Sequence, residues 1–310
     1  YGEFIDRELI HFSKYDCDRS IPNVMDGLKI SLRKILYSAF KKNLKSEIKV
    51  AQFSGYVSEH SGYHHGEASL NAAIVGMAQN FVGSNNINLF QPNGQFGTRL
   101  QGGKDSASER YIFTLLNTLT RKIYRQDDDQ VLEYLDDDGL SVEPIFYCPI
   151  IPMILVNGAQ GIGTGYSTSI PMFNPVDIVS QIRNKLEDKP VDKLTPHYNG
   201  FKGKIVKDGN NFVTKGKYRQ LNYKTLLIEE LPIGTSIDEF KVFIDDVIQN
   251  LNDKKKKLDK KYVPFQGIKG FVSQSTESSV HFEIEFEPLI LQSLLKKISK
   301  QNFMETANEQ

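Results

Sequence analysis

The sequence predicts an α+β chain of two domains. Three observations carry this: apolar stripes of helical period crowd the first eighty residues, strict strand alternation marks 280–286, and the composition changes after Pro149. At 310 residues the chain is long enough for one large domain or two ordinary ones. A hydrophobic content of 39% with 25% charge is that of a soluble globular protein. No apolar run reaches the ~20 residues of a spanning helix and no signal peptide opens the chain, so no membrane partner is expected. Cys17 and Cys148 are too few and too far apart for a disulfide framework or a zinc site, and a reducing compartment follows.

From 29 to 45, Leu32, Ile35, Leu36, Ala39 and Phe40 recur at helical spacing with Arg33, Lys34, Lys41 and Lys42 between them. A second short helix is expected over 49–57. A third starts near Gly66, with Leu70, Ala73, Ile74, Met77, Ala78 and Phe81 on one stripe. Three short helices before a Gly/Asn-rich stretch, 83–97, suggest a helix-turn-helix followed by a wing. The apolar run 150–156 is consistent with a buried strand, and 161–165, rich in glycine, with a flexible turn. Past Phe201, strands are expected at 204–206, 226–228 and 280–286, the last alternating Val280, Phe282, Ile284 and Phe286. A helix is expected over 236–251, with Ser236 and Glu239 spaced as a capping box. The domain boundary is expected near residue 197, giving domains 1–197 and 198–310. The run Lys254 to Lys257, with Lys260 and Lys261, reads as a solvated loop, with nuclear localisation or a phosphate-backbone contact as alternatives.

The zero net charge hides a split. Residues 1–126 carry 16 Lys and Arg against 11 Asp and Glu, whereas 127–150 carry eight acids and no base. Segregation of this kind permits a nucleic-acid footprint on the first part.

The residue pair with the most chemistry is Arg110-Tyr111, which follows the glycine- and serine-rich stretch 102–109. A phenol, with a pKa near ~10, is a poor nucleophile at neutral pH. An adjacent guanidinium favours the phenolate and binds phosphate oxygens through its fixed fork of donors. Taken alone the pair also fits a packed tyrosine beside a solvated arginine.

Its setting favours the chemical reading. Arg19-Ser20-Ile21-Pro22-Asn23-Val24-Met25-Asp26-Gly27-Leu28-Lys29 and Arg33-Lys34-Ile35-Leu36 are followed by Lys49-Val50-Ala51-Gln52, Tyr63-His64-His65-Gly66-Glu67 and the segment 78–86. Gln95-Phe96-Gly97-Thr98-Arg99, the Tyr111 loop, 152–159 and Gly161-Ile162-Gly163-Thr164-Gly165 complete the order. These motifs, in this order, resemble the breakage-reunion domain of eukaryotic-type type IIA DNA topoisomerases, densely from Arg19 to Pro171 and thinly afterwards.

The resemblance implies a winged-helix domain carrying Tyr111 on or just after the wing, followed by an α/β tower domain. It makes Tyr111 the nucleophile of a transient double-strand break through a 5′-phosphotyrosyl intermediate, with Arg110, Arg19 and His65 around the scissile phosphate. Lys29, Arg33 and Lys34 become DNA-backbone contacts, and Ile162 an intercalating wedge. Other readings stand beside these: each Arg as a solvated charge, His65 as a metal ligand, Ile162 as a buried turn residue. The spacing of Gly161, Gly163 and Gly165 lacks the GxGxxG pattern of a nucleotide fold. In the family, magnesium is held by a Glu-Gly and an Asp-x-Asp motif on a separate domain. Nothing upstream of Arg19 matches those motifs, and the acidic runs 127–129 and 136–138 read as surface loop. Mg2+ and ATP are therefore expected to serve the full-length enzyme on domains outside this sequence, which reads as an excised part of a larger protein.

The partners implied are double-stranded DNA and a second copy in a homodimer. The location implied is the nucleus, or the host cytoplasm and virus factory for a large DNA virus. Two departures from the family pattern are Ile30-Ser31-Leu32 in place of Pro-Gly-Gln, and Glu109 directly before Arg110. Rival readings are a DNA-binding and DNA-bending platform with an idle tyrosine, and a gyrase-type subunit. The strings at 63–67 and 102–105 fit the eukaryotic type better.

Overall fold

The computed structural model describes residues 1–209, 211–252 and 265–307. The fold is α+β, with helices and small antiparallel sheets. The chain divides into two compact units, Tyr1–Thr98 with Gly103–Gly200, and Arg99–Gly102 with Phe201–Gln310. The division falls at Gly200, close to the expected boundary near residue 197, and the four residues from Arg99 join the second unit although they lie in the middle of the first in sequence. The lysine run at 254–261 lies outside the described residues.

In the first unit, α1 (Gly2–Phe4) passes through a π-type stretch (Ile5–Leu9) into α2 (Ile10–Ser20). These segments bury no residue, which is why no apolar stripe announces them. The three expected helices follow as α3 (Ile30–Lys41), α4 (Val50–Ser61) and α5 (Glu67–Ala78). Gly62 ends α4 in the left-handed region, at φ 60°, where only glycine is unstrained. Ile35, Leu36 and Ala39, Val50, Phe53 and Val57, and Leu70, Ile74 and Ala78 bury one face of each helix around Phe90 and Ile112. Each fully buried Leu, Ile or Phe contributes ~1.5–3 kcal/mol relative to exposure.

Strand β1 (Ile48–Lys49) leads straight into α4 and pairs with β2 (Phe113–Thr114). After α6 (Thr120–Ile123) come two antiparallel hairpins, β3 (Tyr134–Asp137) with β4 (Leu140–Pro144), and β5 (Ala159–Gly163) with β6 (Tyr166–Ile170). Between them α7 (Met153–Val156) corrects the expectation of a strand over 150–156. Met153, Ile154 and Val156 are buried, and so short an apolar run does not distinguish strand from helix by period. The glycine-rich stretch is also no simple turn. Gly161, Ile162 and Gly163 lie in β5, and the turn is Thr164-Gly165, with Gly165 at φ +81°. Asn174 caps α8 (Pro175–Leu186) by accepting from the Val176 N–H.

The second unit opens with the hairpin of β7 (Lys204–Asp208) and β8 (Asn211–Lys215). Its main sheet has the antiparallel order β11 (Ile268–Ser273), β12 (Phe282–Phe286), β10 (Thr225–Glu230), β9 (Lys217–Gln220). Phe282, Ile284 and Phe286 point into the core as their alternation requires, while Val280 is buried but precedes the strand. Helices α9 (Ile237–Asn252) and α10 (Pro288–Ala307) complete it. The capping box forms: the Glu239 carboxylate accepts from the Ser236 N–H and the Ser236 hydroxyl oxygen from the Glu239 N–H, each at 3.2 Å. The Arg99 and Leu100 carbonyls accept from the next free N–H groups of α9, those of Ile237 and Asp238. The Arg99 guanidinium is buried in an ion pair with Glu230, which explains why this segment belongs to the second unit.

Candidate nucleic-acid interface

Tyr111 is held out to solvent by the backbone around it. The Glu109 carbonyl accepts from the Ala51 N–H (3.1 Å) and the Ile112 carbonyl from the Val50 N–H (3.0 Å), so the loop satisfies donors that the N-terminus of α4 would otherwise leave unpaired. The Tyr111 N–H closes a turn onto the Ser108 carbonyl (2.9 Å). Ile112 is 1% exposed and anchors the turn, while Tyr111 is 76% exposed. Gly94, at φ +110°, leaves room for this anchor, since a Cβ there would lie 3.0 Å from Ile112 Cγ2. Arg110 is exposed beside Tyr111 and lines a groove along α5 with Glu67, Asn71, Gln79, Lys104 and Glu109. The Ser108 hydroxyl donates to the Glu109 carboxylate at 3.3 Å.

Arg19 and His65 meet elsewhere on the first unit. With Lys29, Lys34 and His64 they line a cleft of about 620 Å³ that Asp136, Asp137 and Glu143 also line. Arg19 stands in the last turn of α2, where a cation complements the helix C-terminus, and Lys29 is the N-cap residue of α3. Neither is in an ion pair among the described residues, so both present charge to an incoming anion. The four residues proposed for cleavage thus fall into two pairs, and Arg110 does not line the cleft of Arg19 and His65.

Two of the expected DNA contacts are paired with carboxylates of the chain itself. Arg33 is 4% exposed and Asp26 fully buried. Arg33 Nε donates to Asp26 Oδ2 (2.7 Å), and Nη2 to Asp26 Oδ1 (3.1 Å) and the Leu28 carbonyl (2.9 Å). Lys34 Nζ pairs with Glu143 Oε2 at 2.8 Å and also donates to the Ser61 carbonyl. Both cations neutralise buried carboxylates, but only Arg33 is buried in its pair; Lys34 is half-buried and still lines the cleft of Arg19 and His65. Ile162 is 76% exposed and so is not a buried turn residue, and Tyr166 on the neighbouring strand is 74% exposed.

His65 is held below the ordinary imidazole range. Desolvation beside the buried Tyr63 ring, which it meets edge-on at 5.4 Å, is the largest cause; the charges of Arg19, His64 and Lys34 add to it. A depressed base binds fewer protons folded than unfolded, so this residue costs stability as pH falls below its ordinary value of 6.5. At neutral pH it is an uncharged hydrogen-bonding group. Arg19→Ala is expected to raise the midpoint of His65 in an NMR titration of the imidazole, and inorganic phosphate in the cleft to raise it further. A midpoint unmoved by both would remove the Arg19 charge from its causes.

The acidic runs are engaged locally. Asp127 pairs with Arg125 (2.7 Å), and Asp129 takes a two-pronged bond from Arg121 (3.1 and 2.8 Å), which stacks on Phe40. Asp136 Oδ1 accepts from the Gly139 N–H at the hairpin tip, and Asp137 lies 3.5 Å from His64 Nε2. Among the described residues no group of three or more His, Cys, Asp or Glu is arranged to hold a metal ion. These carboxylates do not fit a magnesium site. Among the described residues no helix is long and apolar enough to cross a membrane.

Sequence reasoning missed the partners of this surface. Asp16 Oδ2 accepts from both the N–H (2.8 Å) and the hydroxyl (2.9 Å) of Thr164, joining α2 to the β5–β6 turn. Positions 148 apart leave no local signal for such a link.

Comparison with known proteins gives a consistent picture. The family model for the A-type subunit of DNA gyrase/topoisomerase IV matches residues 19–308. A probable DNA topoisomerase 2 of Dictyostelium discoideum is 53% identical over 253 residues, 80% of this chain and 17% of that protein. The mitochondrial DNA topoisomerase 2 of the same organism is 50% identical over 285 residues, 92% of this chain and 21% of its own length. The chain thus spans about a fifth of the curated relatives it matches. Among solved structures, the DNA-binding, cleavage and re-ligation domain of Plasmodium falciparum topoisomerase II superposes with a TM-score of 0.88 at 44% identity, covering 97% of this chain and 40% of that one.

Proposed function

The chain belongs to the family of DNA topoisomerase 2 and the A-type subunits of DNA gyrase/topoisomerase IV, and from that premise we propose that it is the DNA cleavage-religation part of a eukaryotic-type type IIA topoisomerase. The observation that carries the reading is the presentation of Arg110-Tyr111: an exposed phenol beside an exposed guanidinium, on a turn pinned by a buried isoleucine and by the N-terminus of a core helix. In this reading α3, α4 and α5 are the three helices of a winged-helix domain, Tyr111 lies just before β2 on its wing, and the second unit is the tower domain.

The Tyr111 hydroxyl attacks a backbone phosphorus and gives up its proton. The bond from phosphorus to the 3′-oxygen breaks, and that oxygen leaves as a 3′-hydroxyl after taking up a proton. The product is a 5′-phosphotyrosyl ester, which stores the bond and is resealed by the reverse attack without ATP. Such a transfer depends on positioning and charge stabilisation more than on a strong base. Arg110 donates to the non-bridging oxygens. Arg19 and the neutral His65 grip phosphate from their own cleft, and a duplex, with one charge per ~1.7 Å of axis, engages both pairs. Lys29 adds a contact without sequence information, and Ile162 parts a base step.

Mg2+ and ATP belong to this proposal as cofactors of the complete enzyme, held by other domains; double-stranded DNA is the substrate and a homodimer the working form. A nuclear site of action follows from the eukaryotic type, with a virus factory in the host cytoplasm as the alternative for a viral source.

The expected result is that Arg110→Ala and Arg19→Ala each lower cleavage by the complete enzyme more than tenfold, or ~1.4 kcal/mol and upward of transition-state stabilisation. Lys254→Ala serves as a control for general basicity and leaves cleavage near wild type. Equal, small losses from all three would sink the assignment. Two observations favour a second reading, that the chain alone is a DNA-binding and DNA-bending platform: Arg110 lines a different cleft from Arg19 and His65, and among the described residues no carboxylate cluster fits magnesium. Magnesium-dependent cleavage by the chain alone would exclude that reading.

A further inference from the structure

Resting on the reading of Ile162 as a wedge and Arg19 as a phosphate contact, we propose that Asp16 is a positioning residue. Through Thr164 it holds the Ile162 hairpin in register with the Arg19 helix, so that DNA deformation and phosphate capture are set by one rigid piece.

Asp16 and Arg19 are three residues apart on α2, and residues at this spacing are surface neighbours. One oxygen of Asp16 accepts both donors of Thr164, and the other accepts from the Ser20 hydroxyl at 3.3 Å. The Cys17 thiol donates to the Thr164 carbonyl at 3.4 Å, so both polar ends of that peptide are tied to α2. The Thr164 hydroxyl is the main reason the Asp16 carboxyl titrates below its ordinary range, which keeps it an anion and an acceptor at neutral pH.

The glycines on either side of Ile162 complete the arrangement. A Cβ on Gly161 would collide with the Ser20 carbonyl oxygen and stand 2.9 Å from Pro22 Cδ. A Cβ on Gly163 would stand 3.0 Å from Cys17 Sγ and 3.2 Å from Cys17 Cα. Successive side chains of a strand point to opposite faces, so a strand face bare enough to lie on α2 turns Ile162 away from it. The Gly-x-Gly spacing that superficially suggests a nucleotide loop is explained by this contact.

The test uses Asp16→Ala and Thr164→Val, with Thr164→Ser as the conservative variant that keeps the hydroxyl. Amide hydrogen exchange without DNA reads the link itself. Protection of the β5–β6 amides is expected to fall by about tenfold in the first two variants and to return in Thr164→Ser. Bending, read by fluorescence transfer between duplex ends, and the cleavage-site distribution of the complete enzyme read the consequence. Asp16→Ala should reproduce the reduced bending and shifted site preference of Ile162→Ala, and the double variant should be no worse than the more affected single one. Unchanged exchange would overturn the proposal, as would a loosened hairpin with wild-type bending and site choice, or losses that multiply in the double variant. If Ile162→Ala bends DNA like wild type, the wedge reading fails and the coupling with it. The exchange result, obtained without DNA, tells that failure from a missing Asp16–Thr164 link.

Discussion

Tyr111→Phe is expected to abolish DNA cleavage by the complete enzyme while leaving DNA affinity within a few-fold. The substitution removes one hydroxyl oxygen from a side chain that is 76% exposed, so the first unit loses no packing, and stability should change by no more than ~0.5 kcal/mol. The ring stays on its turn, because the turn is held by backbone bonds from Glu109, Ile112 and Ser108 and by the buried Ile112 side chain. The phosphate contacts proposed for Arg19, Lys29 and Arg110, the kind that dominates affinity, are untouched. What disappears is the atom that forms the ester in the proposed reaction, so cleavage should fall by at least ~1000-fold, equivalent to ~4 kcal/mol. Trapping with denaturant after incubation with end-labelled duplex measures it. A covalent adduct formed by the Phe variant would show that another residue is the nucleophile.

Arg33→Ala should have the largest effect on stability and the least on DNA binding, the reverse of what a basic residue on a DNA-binding helix suggests. Asp26 receives four hydrogen bonds, from Arg33 Nε and Nη2 and from the Leu28 and Tyr147 N–H groups. Removing the guanidinium leaves a fully buried carboxylate with two backbone donors and no countercharge, and breaking such a pair costs ~3–5 kcal/mol. Arg33→Lys should recover only part of this, because a point charge cannot reproduce the two-pronged geometry. Denaturant unfolding of the chain gives the stability. The comparison is Lys29→Ala, which should leave stability within ~0.5 kcal/mol and lower the slope of log affinity against log salt by about one. Weaker DNA binding by Arg33→Ala at unchanged stability would return that residue to the interface.

The contrast between these two substitutions marks how far residue type can be read. Arg33 and Lys29 are both cations near the start of one predicted helix, and helical period separates their faces only if the ends of that helix are known. The decisive difference is a carboxylate seven residues upstream and a backbone N–H from Tyr147, brought together by a loop turning at Gly27, φ +71°. Asp26 sits in the Asn23-Val24-Met25-Asp26-Gly27 string, which carries no local signal of burial. Burial made it a structural ion.

What the sequence by itself determined is local. Apolar spacing identified the three core helices, because each must bury one stripe. Ser236 and Glu239 announced the start of α9, because a capping box is closed within four residues. Alternation announced β12, because its buried side chains all come from one strand. Motif order singled out the Arg110-Tyr111 pair, although its presentation also rests on the N-terminus of α4. What only the tertiary structure decided involves partners distant in sequence. The run 150–156 became a helical turn, Arg99–Gly102 joined the second unit through Glu230, Arg33 and Lys34 paired with Asp26 and Glu143, and Asp16 met Thr164. The physical reason is the same in each case. A buried charge or a short apolar run has several conformations of similar local free energy, and the choice among them is made by a partner whose position exists only once the chain has folded.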